Sequence, residues 1–351
     1  MFWQAEQSRE QGPGIGHVLT GRAELGAGSW DQPCSDGQSR VGSRLLGSAM
    51  FWQAEQSPAT WPPLGSCNGT QQSPIDIAQD TVQYNGSLGS IIFTNYSNSN
   101  TLLTISNTGH TVEVAIGNGV SVSGGGLPSV YTAIAFHFHW GNISNGSEHR
   151  LSGKQYPMEM HIVHTKNGMT LTDAKKDRTG IAVLGFFIDI MESANTSQLS
   201  MISGVLNEVS IPGTTLPLNY TLSLDTLLGN VNRTMYYRYL GSLTTPTCDE
   251  AVIWTVFNNP ILVPTQVIQS FSSALKSNAS GMLETIMKNF RPPQSLNGRQ
   301  VQSSFQRSQS VNSTTAPNTT SATAPNTTSG SYASLQNSAT LFIVMMLLLL
   351  N

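Results

Sequence analysis

The chain has 351 residues, 38% of them hydrophobic, which is enough for one large domain or two smaller domains with a sizeable core. Its formal net charge is only -3, and 11% of its residues are charged. Such a chain carries no basic field that would attract nucleic acid or anionic lipid, so we expect no nucleic-acid partner.

Residues 1–49 are rich in Gly, Ser, Gln and Arg and show no apolar periodicity. The peptide MFWQAEQS at residues 1–8 recurs at residues 50–57, and a copy this short is not a stacked structural repeat. A conventional signal peptide is missing as well. We interpret residues 1–49 as a disordered leader or an artefact of the gene model.

From residue 58 to 303 the sequence changes to short apolar or alternating runs separated by Gly, Asn, Pro and Ser. These runs are rich in Val, Ile, Thr and aromatic residues, which is typical of strands in one large sheet. Helical patterns are fewer, one at about 193–209 and one at about 264–276. The predicted class is mainly β (α+β), with peripheral helices around a single domain at 50–305.

Residues 306–331 are rich in Ser, Thr and Asn and contain the tandem TAPNTTSATAPNTTSG, so we expect a solvated stalk. The chain then ends in the apolar run LFIVMMLLLL, which falls short of the roughly 20 residues that a membrane-spanning helix needs. Small residues at 329–331, a polar spacer and this short tail fit a glycosylphosphatidylinositol (GPI) attachment signal at 332–351. The sequence therefore predicts a lipid-anchored protein on the outer face of the cell membrane.

Asn-x-Ser/Thr sequons are dense, and although chance explains some of them in a Ser-rich chain, the rest favour a glycosylated secretory product. They lie at Asn68, Asn85, Asn95, Asn142, Asn145, Asn195, Asn219, Asn232, Asn278, Asn312, Asn318 and Asn326. The three cysteines, Cys34, Cys67 and Cys248, allow one disulfide and leave one thiol over.

The segment AFHFHW places His137 and His139 two residues apart in a predicted strand. Side chains alternate across a strand, so both imidazoles leave one face while the phenylalanines pack behind them. In EMHIVH, Glu159 and His161 have the same relation. If the two strands are neighbours, three imidazoles converge, which is the ligand set of a catalytic zinc site. The alternative is that each histidine is an ordinary polar residue of a strand, since a short motif alone is weak evidence.

The strings FHFHWG, GSEH and MEMHIVH resemble the zinc-site core of the alpha-class carbonic anhydrases. Further strings agree in order and spacing: QSPIDI at 72–77, NTGH at 107–110, SGGGLP at 123–128, GSLTTPTCDEAVIWTVF at 241–257 and NFRPPQ at 289–294. The resemblance covers 61–305 and points to the extracellular, GPI-anchored branch. It implies a twisted, mostly antiparallel sheet of about ten strands, with a conical cavity that reaches the metal.

The resemblance also implies roles for individual residues. His137, His139 and His161 would bind Zn²⁺, which supplies hydroxide for the reversible hydration of carbon dioxide to bicarbonate and a proton. Thr244 would accept a hydrogen bond from that hydroxide and donate its own proton to Glu148, which fixes the direction of attack. His110 would carry the released proton to buffer.

Other positions are assigned in the same way. Glu159 would fix the tautomer of His161, and Asn289 would support the ligands from behind. Cys67 and Cys248 resemble the disulfide of the extracellular members. The substrate-binding residues would be Val163, Val183, Leu243, Thr244, Thr245, Val252 and Trp254, although plain core packing also explains the apolar ones. Ala135 departs from the family, which usually has a glutamine there that bonds a zinc ligand.

Two further functions stay open at this point. One is a catalytically weak or silent relative that serves as a binding module, against which stands the presence of all three histidines, Glu148 and Thr244. The other is a zinc hydrolase acting on esters or peptides, although no His-Glu-x-x-His signature occurs. We expect a monomer whose small-molecule partners are carbon dioxide and bicarbonate.

Overall fold

The computed structural model describes residues 58–194, 198–278 and 281–307. The predicted leader at 1–49 and the predicted GPI signal at 332–351 lie outside these ranges, as does the stalk beyond residue 307. The described residues through Gln306 form one compact unit. Among the described residues, no helix has the length and apolar character needed to cross a membrane.

The secondary structure in the described ranges is dominated by strands. The strands are β1 (Asp76–Ile77), β2 (Gln83–Tyr84), β3 (Ile91–Thr94), β4 (Leu102–Asn107), β5 (Val112–Ile116), β6 (Ser121–Gly124), β7 (Tyr131–Trp140), β8 (Arg150–Leu151), β9 (Lys154–Gln155), β10 (Met158–Lys166), β11 (Ile181–Ile190), β12 (Thr215–Pro217), β13 (Tyr236–Gly241), β14 (Val252–Val263), β15 (Lys276–Ser277), β16 (Glu284–Thr285) and β17 (Gln302–Ser303). The α-helices are α1 (Leu171–Ala174), α2 (Leu199–Gly204), α3 (Leu224–Leu228) and α4 (Thr265–Ala274).

A 12-stranded sheet carries the fold, with the path β12-β4-β5-β7-β10-β11-β14-β13-β17-β2. Off this path, β6 pairs with β7 and β3 pairs with β6. Neighbouring strands are antiparallel except for the pairs β11–β14 and β17–β2, which are parallel. The predicted class, a mostly antiparallel sheet with few helices, is confirmed. The long strands β7, β10, β11 and β14 lie side by side at its centre, where they provide a rigid base for a site.

The alternation of side chains along β7 and β10 sorts residues between two faces of the sheet. Phe136, Phe138 and Trp140 are fully buried on one face, and the antiparallel register sets them opposite Ile162, Met160 and Met158 of β10. Burying each of these large side chains contributes about 1.5–3 kcal/mol. The histidines of both strands consequently leave the opposite face, as the period-two pattern predicts.

The helices pack at the edges of this core. Helix α4 begins directly after Pro264, close to its predicted start, and its Phe271 ring lies 4.9 Å from the ring of Phe138. Helix α2 is shorter than the predicted 193–209 stretch. It ends at Gly204, a residue type that costs about 1 kcal/mol relative to alanine inside a helix, and turns follow it.

Candidate active site

The three predicted histidines meet on one face of the sheet. Strands β7 and β10 are neighbours, and their register sets His137 opposite His161 and His139 opposite Glu159. One ring nitrogen from each histidine lies within 4.8 Å of the others. The ring centroids are 5.1 Å apart for His137 and His139, 5.3 Å for His137 and His161, and 4.6 Å for His139 and His161.

Hydrogen bonds at the back of two of these rings decide which nitrogen is free. Nδ1 of His139 donates to the backbone oxygen of Asn289 at 2.9 Å, which leaves Nε2 buried and without a hydrogen bond in the described residues. Nε2 of His161 donates to Oε1 of Glu159 at 2.7 Å, which leaves Nδ1 facing the cluster. Since a carboxylate or carbonyl oxygen only accepts, these two bonds fix the tautomers.

Burial keeps all three rings neutral. It lowers the pKa of His139 to about 3, and it holds the pKa of His137 well below and that of His161 below the ordinary histidine range. Neutral imidazoles with a free lone pair are the form that coordinates a metal. The unpartnered Nε2 of His139 would be costly to bury without a ligand, so the donor set fits zinc with three histidines and an open position.

A buried hydrogen-bond chain continues behind His161. Glu159 accepts two bonds from His149, from its Nδ1 to Oε1 at 2.7 Å and from its backbone nitrogen to Oε2 at 2.8 Å. The hydroxyl of Tyr239 lies 2.7 Å from Nε2 of His149 and 2.9 Å from Oγ of Ser73. Although burial opposes it, the two histidines hold the pKa of Glu159 well below its usual value. The chain of hydrogen bonds thus favours the ionised form of the Glu159 carboxylate beneath the cluster.

Glu148 forms a second buried carboxylate beside the histidines. Its Oε1 accepts the backbone N–H of Arg291 at 2.8 Å. Its Oε2 lies 3.4 Å from Nε2 of His139 and 3.9 Å from Nδ1 of His161. Burial raises the pKa of Glu148 well above its usual value, which hydrogen bonds from Arg291 and from the Thr244 side chain oppose. Because a carboxylate can only accept, a hydrogen bond between these two groups would have the Thr244 hydroxyl as its donor.

The cluster opens into a cavity of about 540 Å³. His137 and His139 lie in its lining together with Thr245 and with His110, whose side chain is exposed. Glu113, which the motifs do not single out, lines the same cavity. The predicted shuttle histidine and the predicted substrate-path threonine are therefore brought to one opening.

The predicted apolar wall lies mainly in the protein interior. Val183, Val252 and Trp254 are buried in a hydrophobic cluster, with Val163 and Leu243 packed at its edge. The ring of Trp254 lies 4.8 Å from the ring of His161. In the described part of the chain the cavity lining does not include these five residues, so their contact with substrate stays a prediction.

Asn289 connects the turn before β5 with the end of β7. Its side chain accepts the backbone N–H of Trp140 at 2.7 Å and donates to the backbone oxygens of His110 and Phe138, both at 3.0 Å. Its contact with the ring of His139 is made by its backbone oxygen. Asn289 thus positions both the ring of His139 and the backbone at His110.

Cys67 and Cys248 form a disulfide that joins two segments 181 residues apart, with Cα atoms separated by 4.9 Å. The backbone N–H of Cys248 donates to the oxygen of Thr245 at 2.8 Å. Arg291 donates to the backbone oxygen of Cys67 at 3.1 Å. The disulfide therefore holds the loop that carries Thr244.

Several residues of the site escape the sequence argument. His149 lies within the quoted GSEH string and Arg291 within NFRPPQ, but a strand pattern does not indicate their long-range partners. For Tyr239 the sequence predicts only an ordinary aromatic residue in a β-strand. A period-two reading of HTVEVAIG does place Glu113 on the face opposite Val112 and Val114, which was the one available signal.

Comparison with known proteins defines the class. The family model for eukaryotic-type carbonic anhydrases matches residues 56–305. The chain therefore belongs to this family of enzymes, which hydrate carbon dioxide, and the resemblance predicted from its motifs is confirmed.

Individual carbonic anhydrases are similar in sequence to this chain along most of their length. Carbonic anhydrase 4 of Oryctolagus cuniculus is 36% identical over 265 residues, which are 73% of this chain and 85% of that protein. Carbonic anhydrase 15 of Mus musculus is 36% identical over 271 residues, 74% of this chain and 83% of the relative. Carbonic anhydrase 12 of Homo sapiens is 34% identical over 257 residues, covering 70% and 69%.

Proposed function

We propose that this carbonic anhydrase binds one zinc ion with His137, His139 and His161 and uses it for the reversible hydration of carbon dioxide. The observation that carries the proposal is the cluster of three neutral imidazoles, with ligand nitrogens within 4.8 Å, at a cavity of about 540 Å³. A bound zinc ion supplies a Lewis acid that lowers the pKa of water to about 7, an effect for which carbonic anhydrases are the standard example.

Thr244 and Glu148 orient the attacking oxygen. The positive charge of a bound zinc ion would favour the ionised form of Glu148 against the effect of burial. A Thr244 hydroxyl that donates its hydrogen bond to that carboxylate can then only accept a further one. It therefore selects an oxygen that still carries a proton and turns the lone pair of that oxygen towards carbon dioxide. Alignment of this kind accounts for part of the rate because it removes unproductive orientations.

His110 exports the proton that each hydration releases. Its side chain is exposed at the cavity, and its backbone is held by Asn289. An exposed imidazole suits this task, because the unperturbed pKa of histidine near 6.5 allows it to take up and release protons near neutral pH.

The enzyme acts at the outer cell surface, held there by a GPI lipid at its C-terminus. The small residues, spacer and short apolar tail at 329–350 support this location. The disulfide between Cys67 and Cys248 also fits an oxidising compartment. Treatment of expressing cells with phosphatidylinositol-specific phospholipase C should release the protein, whereas retention on the cells would contradict the lipid anchor.

The catalytic proposal is tested by zinc analysis and stopped-flow hydration of carbon dioxide. We expect one zinc per chain and turnover well above the uncatalysed rate in the wild type, and loss of both in His137→Gln. His110→Gln is the matched control for the zinc measurement alone, because it changes an exposed histidine of the same cavity and should keep its zinc. Stoichiometric zinc with turnover no better than water would instead favour a silent binding module.

A further inference from the structure

Glu113 is an acidic residue in the cavity wall that the catalytic roles above do not use. On β5, Val112, Val114 and Ile116 are buried in the main core, while Glu113 and Ala115 are half-buried on the other face. That other face is the one that carries the histidines, and Glu113 lines the cavity together with His137 and His139.

The sheet register places Glu113 beside a metal-ligating histidine. Strands β5 and β7 are antiparallel, with Glu113 directly opposite His137. Directly opposed residues in such a pair have Cβ atoms about 4.5–5.5 Å apart and point to the same face. The backbone therefore places the Cβ atom of Glu113 next to the histidine cluster.

The carboxyl group of Glu113 is not used by the hydrogen bonds and ion pairs of the described residues. Among the described residues, the Glu113 side chain makes no ion pair or hydrogen bond, although His110 and Lys288 line the same cavity. Burial raises the pKa of the carboxyl group, as expected for an acid held partly away from water. A half-buried acid of this kind lowers the stability of the folded protein, so Glu113 does not serve the fold. We therefore look for its effect on the molecules that enter the cavity.

We propose that Glu113 is a specificity-determining residue that weakens the binding of anions at the active site relative to neutral carbon dioxide. The inference rests on the function proposed above. Carbon dioxide carries no net charge and is indifferent to a nearby carboxylate, whereas bicarbonate and small inorganic anions are repelled by it. The Glu113 carboxylate and a bound anion would be separated by about the width of one or two side chains, with water filling part of the space between them. At that separation the repulsion corresponds to about a 3- to 10-fold change in affinity for the anion.

Azide binding to the zinc-loaded full-length enzyme tests the proposal. We expect isothermal titration at pH 8.5 to give a Kd about 3- to 10-fold lower for Glu113→Gln than for the wild type, because the charge is removed with little change of shape. Glu113→Asp keeps the charge and should bind azide within about twofold of the wild type. Glu284→Gln is the matched control, because Glu284 is an exposed acid that lines the same cavity, and it should also leave the Kd within about twofold.

Three outcomes would overturn the inference. An unchanged Kd in Glu113→Gln, with wild-type zinc content, would show that the charge at this position does not act on anions. An equal gain in Glu284→Gln would assign the effect to the general charge of the cavity. A wild type without zinc and without turnover would overturn the proposed function together with this inference, whereas the first two results leave that function standing.

Discussion

The histidine cluster has a buried side and an open side, and the two are built differently. On the buried side His161 is 1% exposed, and its ring is held by Glu159, which is in turn held by His149. On the open side His137 is half-buried and faces the cavity, with Ala135 as the preceding residue on its face. No side-chain hydrogen bond to the His137 ring is found in the described residues.

This difference separates two tasks that one site has to perform. The buried side holds a ligand nitrogen in place through a chain of groups that water does not reach, so its geometry is set by folding. The open side leaves room for carbon dioxide to enter, for bicarbonate to leave and for His110 to meet the solvent. We therefore expect changes on the buried side to affect metal binding and folding, and changes on the open side to affect rate and selectivity.

The largest expected effect comes from Glu159→Gln. Oε1 of Glu159 accepts two ring N–H groups and Oε2 accepts a backbone N–H, so an amide NH2 at either position would face a donor. We expect zinc affinity to fall about 10- to 100-fold. The free energy of unfolding should fall by about 1–3 kcal/mol, because a buried N–H group is left without its acceptor. Competition with a chelator and urea unfolding measure the two quantities.

Glu284→Gln, which changes an exposed acid, serves as the control for Glu159→Gln and should alter neither quantity. Retention of wild-type zinc affinity in Glu159→Gln would show that the buried chain does not support the metal ligands, and the comparison between the two sides would fail.

On the open side, His110→Ala should slow carbon dioxide hydration about tenfold or more in dilute buffer, because proton export loses its carrier. Zinc content and the midpoint of thermal unfolding should stay as in the wild type, since the side chain is exposed. Added imidazole should restore most of the rate. A rate that is low in dilute buffer and does not respond to imidazole would assign His110 to the structure of its turn.

The smallest effect is expected from Ala135→Gln, which introduces an amide on the face that carries His137. Such a group can accept a ring N–H, as Glu159 does on the buried side, and should raise zinc affinity a few-fold. The rate of zinc release to a chelator measures this change. Faster release than in the wild type would mean that the open side is crowded rather than incomplete.

The comparison also explains how much the sequence predicts. The period-two pattern of β7 and β10 was sufficient to place the histidines on one face and the aromatic residues on the other. The family strings carried Glu148 and Thr244, whose roles stay predictions, and the structure buries both side chains. The hydrogen-bond chain on the buried side was harder to predict, because it includes a bond between Tyr239 and Ser73, which are 166 residues apart in the sequence. Pairings of that length depend on the packing of the whole sheet rather than on local pattern.

Glu113 illustrates the other limit of sequence reasoning. Because Glu113 alternates with buried valines, the sequence predicts the face of the sheet on which it lies. Its role becomes visible only from the strand register, which sets it opposite His137. The extent of α2 depends likewise on the turns that follow Gly204. In both cases the local sequence pattern does not identify the neighbouring residues on which the outcome depends.

The bond between Cys67 and Cys248 gives this enzyme a dependence on where it matures. The first described residues of the chain are fastened by it to the loop of Thr244 and Thr245, so catalytic alignment is completed by an oxidation that the reducing cytosol does not allow. A chain whose two cysteines are still reduced therefore lacks one of the restraints on its own reaction centre.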